Sequence, residues 1–282
     1  MSHPVNISAT IITFNEENKI EACIQSLLGV ADEILVVDSF STDGTESICK
    51  RYNVRFLKNT FSGYIAQKNF AMNMAQHDII LSLDADERLS QQLRESILTI
   101  KNNWGDVEGY AFNRYNNYCG KWMNYGGWYP DRKIRLWDRR KGQWGGVDPH
   151  DNVVLTRSKV KKLNGDILHY SYLTVHEHLA QILRFSEIAA KAKYRRGERT
   201  NAAASVFFSP FFRFVKSYFF QFGFLDGYYG FVYCAVASTS TFFKYLRLHE
   251  YYSKGLPEGI SSVAAEKEST AAKESLAFED RL

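Results

Sequence analysis

The nine residues Ile79-Ile80-Leu81-Ser82-Leu83-Asp84-Ala85-Asp86-Glu87 constrain the fold more than any other stretch of the chain. An apolar run of strand length, without hydrophobic–polar alternation, implies a strand covered on both faces, as in a parallel sheet. Such a strand cannot carry acids along its length. It can carry them at its C-terminal end, where open α/β sheets bind ligands. Two aspartates one residue apart can hold a hard divalent cation through oxygen, and such a cation suits a diphosphate. The competing explanation is a solvated turn that opens a helix at Ser90, since the Asp-x-Asp pattern alone is common.

The residues before this run supply the rest of such a sheet. Residues 7–13 read as a strand, followed by Phe14-Asn15-Glu16-Glu17-Asn18. Residues 19–28 have helical spacing and stop at Gly29. Residues 33–37 form a second apolar strand ending in Asp38, then a polar turn over 39–45 and a helix through Tyr52. A short strand over 54–57 and a helix over 63–75 follow. Strands alternating with helices at this spacing indicate β-α-β units and a parallel sheet. Parallel strands bring their C-terminal ends to one edge, so Thr13, Asn15, Glu16, Asp38, Asp84 and Asp86 are expected to share a cleft. Turn chemistry also favours aspartate at strand ends, which is the plainer account of the same residues. No G-x-G-x-x-G follows the first strand and no Walker pattern occurs, which weakens the dinucleotide and P-loop readings.

Taken together, Thr13-Phe14-Asn15-Glu16, Val36-Val37-Asp38-Ser39-Phe40-Ser41-Thr42-Asp43-Gly44-Thr45, Lys68-Asn69 and Leu83-Asp84-Ala85-Asp86-Glu87 resemble, in order and spacing, the inverting family 2 glycosyltransferases. The resemblance covers roughly residues 5–175. It is nearest to the bacterial lipopolysaccharide-core β-1,4-glucosyltransferases, with support from residues 137–154 and from the Gly- and Tyr-rich segment ending near Glu250. It implies a GT-A (Rossmann-like) α/β fold, a mostly parallel sheet flanked by helices, and a nucleotide-diphospho-sugar donor. By position it implies that Thr13, Asn15 and Glu16 line the nucleotide pocket and that Asp38 hydrogen-bonds the base. Lys68 would sit near base or phosphate, Asp84 and Ala85 would face the nucleotide-sugar or the metal, and Asp86 would coordinate Mg²⁺ or Mn²⁺. A diphosphate leaving group gains negative charge as the glycosidic bond breaks, and a divalent cation stabilises that charge.

The middle of the chain offers the other chemical groups. Residues 107–118 alternate like a strand, and residues 122–128 are rich in Gly and aromatics, as sugar-binding loops often are. Arg132, Lys133 and Arg135 lie beside an apolar strand. Arg135 could face a phosphate, since a guanidinium grips oxyanions in bidentate fashion, or the strand could be a solvated edge. Inverting transfer needs a general base to take the acceptor hydroxyl's proton, and Gly145-Gly146-Val147-Asp148-Pro149-His150-Asp151-Asn152 reads as a glycine-rich loop able to present one. Relatives commonly carry His-Glu near here; this chain has His150-Asp151, so the base stays open among Asp151, Asp148 and His150, in that order. The cluster His169, His176, Glu177, His178 lacks zinc spacing; His169 is expected to end a strand and the others to open a helix over 174–196.

The last third is the most aromatic part of a chain whose Phe, Trp and Tyr content is 15%. Between residues 202 and 245, aromatics alternate with Arg213, Lys216, Lys244 and Arg247, and Pro210, Gly223, Gly227 and Gly230 are expected to break the stretch into short helices. Aromatics with basic residues and no long apolar run suit helices lying in a membrane interface; packing on the catalytic domain or on another subunit is the alternative. Residues 253–282, rich in Ser, Ala, Lys and Glu, read as a disordered tail. The expected organisation is a GT-A domain over 1–175, divided near 105 into nucleotide-sugar and acceptor halves, and a helical appendage over 176–252. The net charge of +4 is too mild to suggest nucleic acid. Four scattered cysteines suggest reduced thiols, and neither a signal peptide nor an 18-residue apolar run occurs.

The expected activity is transfer of a hexose, glucose from UDP-glucose first, to an inner-core heptose of a lipid-linked oligosaccharide. The expected location is the cytoplasmic face of the bacterial inner membrane, peripherally bound. Another donor or glycan acceptor, a sugar-phosphate nucleotidyltransferase, or an inactive membrane-bound scaffold remain as alternatives, and the oligomeric state is left open.

Overall fold

The computed structural model describes residues 4–147, 150–157, 159–199 and 202–256, with the backbone alone for Val147, His150, Ala202 and Ala203. The chain forms two compact units, one through Thr174 and one from Val175.

The first unit begins with β1 (Ile7–Thr13), α1 (Ile20–Leu27), β2 (Glu33–Asp38), α2 (Thr45–Arg51), β3 (Arg55–Lys58), α3 (Tyr64–Met74) and β4 (Ile79–Asp84). The expected β-α-β alternation is present. These strands are parallel, and the register sets Thr13 beside Asp38 and Ile12 beside Asp84, so the polar strand ends meet at one edge. Both faces are covered, which explains the unbroken apolar runs. Ile7, Ile11, Leu81 and Leu83 pack with Ile20, Ile24 and Leu27 of α1, while Ile80 on the opposite face packs with Met72 and Trp137.

Beyond β4 the sheet turns mixed. β5 (Glu87–Leu89) leads into α4 (Gln91–Lys101), whose first turn is capped by the Ser90 hydroxyl accepting from Leu93 N at 3.2 Å. Then come β6 (Gly109–Tyr118), β7 (Lys121–Trp122), β8 (Asp131–Asp138), β9 (Gly142–Val147), β10 (His150–Leu155) and β11 (Val160–Tyr172). The sheet order is β3-β2-β1-β4-β8-β6-β11-β5, with β7 beside β6. β8 is antiparallel to both β4 and β6. The ladder to β4 covers residues 136–138 only, so residues 132–134 pair with β6 alone and Arg132 is exposed, as the edge alternative has it, whereas Arg135 is buried.

The glycine-rich stretch is also not a loop. β9 and β10 form an antiparallel hairpin with Asp151 opposite Gly146. Its inward residues Trp144, Val153 and Leu155 pack on Trp137 and Met72. Gly142 serves close approach rather than flexibility, because a Cβ there would lie 2.4 Å from the Val154 carbonyl oxygen.

The second unit contains α5 (Val175–Arg195), α6 (Ala202–Val215), a π-helical turn (Lys216–Phe220), a 3₁₀ turn (Gly223–Asp226) and α7 (Gly227–Lys254). Of the expected breaks, Gly223 opens the 3₁₀ turn and Gly227 opens α7, whereas Pro210 and Gly230 break nothing. Pro210 lies inside α6 and Gly230 inside α7, where a Cβ would meet the Gly223 carbonyl oxygen at 2.0 Å. Gly230 is thus a packing position, and the chain turns at Phe222, in the left-handed region at φ 57°, directly before Gly223. Among the described residues no helix is long and apolar enough to cross a membrane. Residues 257–282 of the expected tail lie outside the described residues, and α7 runs through its first two positions.

Candidate active site

At the C-terminal edge of the parallel strands two loops are laced together by short polar side chains. Asn15 is left-handed (φ 54°), a conformation asparagine tolerates. Its Oδ1 accepts from Thr42 N at 2.8 Å and its N–H donates to Ser41 Oγ at 2.8 Å. Glu16 N donates to Thr45 Oγ1 at 2.9 Å. The fully buried Asp38 carboxylate accepts from Ser41 N at 2.8 Å and from the Ser41 hydroxyl. Thr13 is buried, and its hydroxyl has no hydrogen-bond partner among the described residues. Phe14 and Phe40 stand exposed beside these stitches. Burial raises the Glu16 carboxyl to about 7; Lys19, 3.6 Å away, opposes this and the nearby Asp86 charge adds to it.

Below this edge runs an alternating chain of charges. Lys68, 3% exposed, donates from Nζ to Asp151 Oδ2 at 2.6 Å and pairs with Asp84 Oδ1 at 3.0 Å, its ammonium 4.5 Å from the centre of the Trp144 ring. Asp84 Oδ2 accepts from Arg135 Nη2 at 3.0 Å, and the same nitrogen donates to Glu87 Oε1 at 3.2 Å. Glu87, with no exposed surface, also accepts from Asp84 N at 2.9 Å, and Arg114 approaches it at 3.7 Å. Asp151, Asp84 and Glu87 are thereby matched by Lys68, Arg135 and Arg114, as buried charges require. Burial alone would raise the Asp84 carboxyl; Lys68 and Arg135 instead hold it well below the usual carboxylate range. Arg135 is pushed up by Glu87 and Asp84 against the effect of burial. Its Nε and Nη1 are buried without hydrogen-bond partners among the described residues, and the guanidinium lies 5.2 Å from the centre of the Trp144 ring.

Asp86 stands apart from that chain. Its carbonyl oxygen accepts from Tyr170 N at 3.0 Å, which ties the Asp84-Ala85-Asp86 turn to β11. Its Oδ2 lies 3.2 Å from His169 Nε2, and His169 Nδ1 lies 2.6 Å from Asn116 Oδ1. Nε2 donates to the Asp86 carboxylate in the metal-free protein; in the tautomer whose Nδ1 donates to Asn116 Oδ1, Nε2 instead carries a lone pair that a cation set between it and Asp86 would take up. An imidazole nitrogen and a carboxylate oxygen so arranged fit a divalent cation. Two protein donors leave room for phosphate oxygens and water, the usual coordination of Mg²⁺. Burial would raise the Asp86 carboxyl, and the neighbouring His169 draws it below its ordinary value. Among the described residues no group of three or more His, Cys, Asp or Glu side chains is placed to hold a metal by protein ligands alone.

The structure thus gathers Lys68, Asp84, Arg135 and Asp151 into one network, sets Asp86 beside His169, and keeps Thr13 and Asp38 at the ends of β1 and β2 with Asn15 and Glu16 on the loop after β1. Asp148 lies outside the described residues, and the side chain of His150 is not described. Sequence reasoning missed His169 as the neighbour of Asp86, because 83 residues separate them and no motif links them. It also missed Glu87, whose burial follows from the three-residue strand β5. Tyr115 stacks on Trp122 at 4.9 Å and Trp122 meets Tyr170 at 5.4 Å; the strand register sets these rings on the sheet face opposite His169, and of the three Trp122 belongs to the stretch expected to bind sugar.

An α/β sheet with carboxylates at the C-terminal edge of its parallel strands is the arrangement of the GT-A type. Residues 8–163 match the family model described as glycosyl transferase family 2, and the chain belongs to that family. It is 30% identical to the lipopolysaccharide core biosynthesis glycosyltransferase LpsC of Rhizobium meliloti (strain 1021), over 76% of this chain and 80% of that protein. It is 29% identical to an uncharacterized glycosyltransferase, RT0209, of Rickettsia typhi, over 86% of this chain and 87% of that protein. Membership in this family sets aside the sugar-phosphate nucleotidyltransferase reading.

Proposed function

We propose that the protein is an inverting hexosyltransferase that moves a sugar, glucose from UDP-glucose first, onto an inner-core heptose of a lipopolysaccharide precursor at the cytoplasmic face of the inner membrane. The observation that carries the donor half is the facing pair Asp86 Oδ2 and His169 Nε2, 3.2 Å apart at the mouth of the sheet. The likeness to LpsC supports the acceptor half. In this reading Asp86 and His169 hold Mg²⁺ or Mn²⁺, which supplies positive charge for the departing diphosphate. Thr13 and Glu16 border the nucleotide, and Asp38 keeps the Ser39–Ser41 turn in shape to receive the base. Asp84 is fixed between Lys68 and Arg135, so it orients the loop that carries Asp86. Asp151, gripped at Oδ2 by Lys68, takes the acceptor proton on its other oxygen as the hydroxyl attacks the anomeric carbon. No covalent sugar–enzyme intermediate is required.

The test is transfer itself. UDP-glucose, UDP-galactose, GDP-mannose and ADP-heptose are each incubated with the protein, Mg²⁺ and a heptose-terminated core acceptor, and the product is read by mass and by anomeric configuration. One hexose added from a UDP-sugar with inversion is expected. Transfer with retention, or from none of the donors, contradicts the proposal.

A further inference from the structure

The second unit packs Tyr251 inward with Tyr194 and Tyr245 but holds many of its phenylalanines outward. Along α6, Phe207, Phe208, Phe211 and Phe212 follow the i, i+3, i+4 spacing of a single helix face and are all exposed, Phe207 at 71%. The face continues through the π and 3₁₀ turns into the start of α7, with Phe220 at 75% and Tyr228 at 73% exposed. This is no loose end. A Cβ at Gly223 would lie 2.8 Å from both Cys234 Sγ and the Ser217 carbonyl oxygen, so the turn is locked onto α7. Phe222 keeps a left-handed backbone that a bulky residue rarely adopts. The fold therefore maintains a strained, tightly packed turn that leaves large apolar side chains in water. An exposed patch of this extent marks an interaction surface.

Charge indicates what covers it. Between residues 204 and 231 the charged residues are Arg213, Lys216 and Asp226. Both basic residues are exposed, and the acid is buried at 3%. The segment thus offers aromatic side chains and positive charge, and among the described residues no helix is long and apolar enough to cross a membrane. We propose that this face docks onto an anionic lipid bilayer, its phenylalanines entering the interface while Arg213 and Lys216 meet headgroup phosphates. This assignment rests on the second unit alone, and its test reads lipid binding, not sugar transfer, so it stands or falls apart from the transferase reading.

The full chain is co-sedimented with vesicles of phosphatidylcholine alone and of phosphatidylcholine mixed with phosphatidylglycerol. The wild type is expected to bind the mixed vesicles and to be released by salt. Phe207→Ser/Phe211→Ser/Phe220→Ser alters only exposed side chains and should lower partitioning by at least about tenfold. Arg213→Glu/Lys216→Glu should remove the preference for phosphatidylglycerol, with a loss on the order of fivefold per charge. Circular dichroism reports whether each variant is folded; if the serine variant is not, the charge variant decides. Absence of wild-type binding to either vesicle overturns the proposal, as does undiminished binding by a folded serine variant or an unchanged lipid preference in the charge variant. A wild-type dimer that ignores vesicles and becomes monomeric in the serine variant also overturns it, in favour of a second copy on this face.

Discussion

The two halves of the large sheet build one site in different ways. In β3-β2-β1-β4 the functional groups sit at strand ends: Thr13, Asp38 and Asp84 are final residues of their strands. In β8-β6-β11-β5 they sit within strands: Arg135, Arg114 and His169 project from the interior of β8, β6 and β11, and Glu87 opens β5. A parallel sheet aligns strand ends whatever the side chains do, so its half can present acids to a ligand with little further support. The mixed half places its groups by cross-strand register, Arg135 against Asp84 and Glu87, Arg114 against Glu87, and His169 against Asp86. In the proposed function the first half supplies the acids at the edge, while Arg135 and Arg114 of the second neutralise and orient them and His169 joins Asp86. Changes to groups that meet substrate should therefore affect rate with the fold intact, whereas changes to the neutralising partners should affect stability as well.

The largest expected effect is on rate. Asp151→Asn should lower kcat by about 10²–10⁴-fold with donor affinity nearly unchanged, as loss of a general base does. Steady-state kinetics against acceptor, with donor binding measured separately, checks this; near-normal kcat would remove Asp151 as the base and leave Asp148 or His150. Next comes a substitution in the neutralising network. Glu87→Gln leaves Arg135 and Arg114 short of a buried counter-charge and should cost about 3 kcal/mol of stability, within the range for a broken buried pair. Urea denaturation measures it, and a loss below about 1 kcal/mol would mean that Glu87 is not part of the internal balance.

The smallest effect is a pH dependence. The folded-state pKa of Glu16, about 7, lies above its ordinary 4.5, so the native protein holds a proton that the unfolded chain has released between those values. The associated stability is complete below pH 4.5 and is lost as pH rises to about 7. Glu16→Gln should flatten that part of the melting-temperature profile of the ligand-free protein. A profile with the wild-type slope would show that Glu16 is not the group responsible.

The same contrast explains how far the sequence could be read. The parallel half was readable because its signals are local: uninterrupted Val, Ile and Leu runs, helical spacing between them, and an acid closing β2 and β4. The resemblance added the order of these motifs, and the family match agrees with it. The mixed half was hidden because its determinants are pairings. Nothing near His169 shows that β11 will carry it to Asp86, and nothing near Glu87 shows that three residues will form a strand against β11. The Gly145-Gly146 stretch misled for a related reason. Its glycines looked like loop residues, while the inward Trp144, Val153 and Leu155 that make it a hairpin alternate too briefly to be noticed. In the second unit, Pro210 and Gly230 read as helix ends because their intrinsic cost is local, whereas the tertiary contact that requires Gly230 is not.

The central claim is that Asp86 and His169 bind the donor's diphosphate through a divalent cation, and the most direct test is titration calorimetry of UDP with and without Mg²⁺. The wild type should bind UDP in Mg²⁺ and lose that binding in EDTA. Asp86→Ala should bind it in neither, and His169→Ala should bind it about 10–100-fold more weakly in Mg²⁺. Equal UDP affinity in Mg²⁺ and EDTA, or wild-type affinity in Asp86→Ala, would contradict the account.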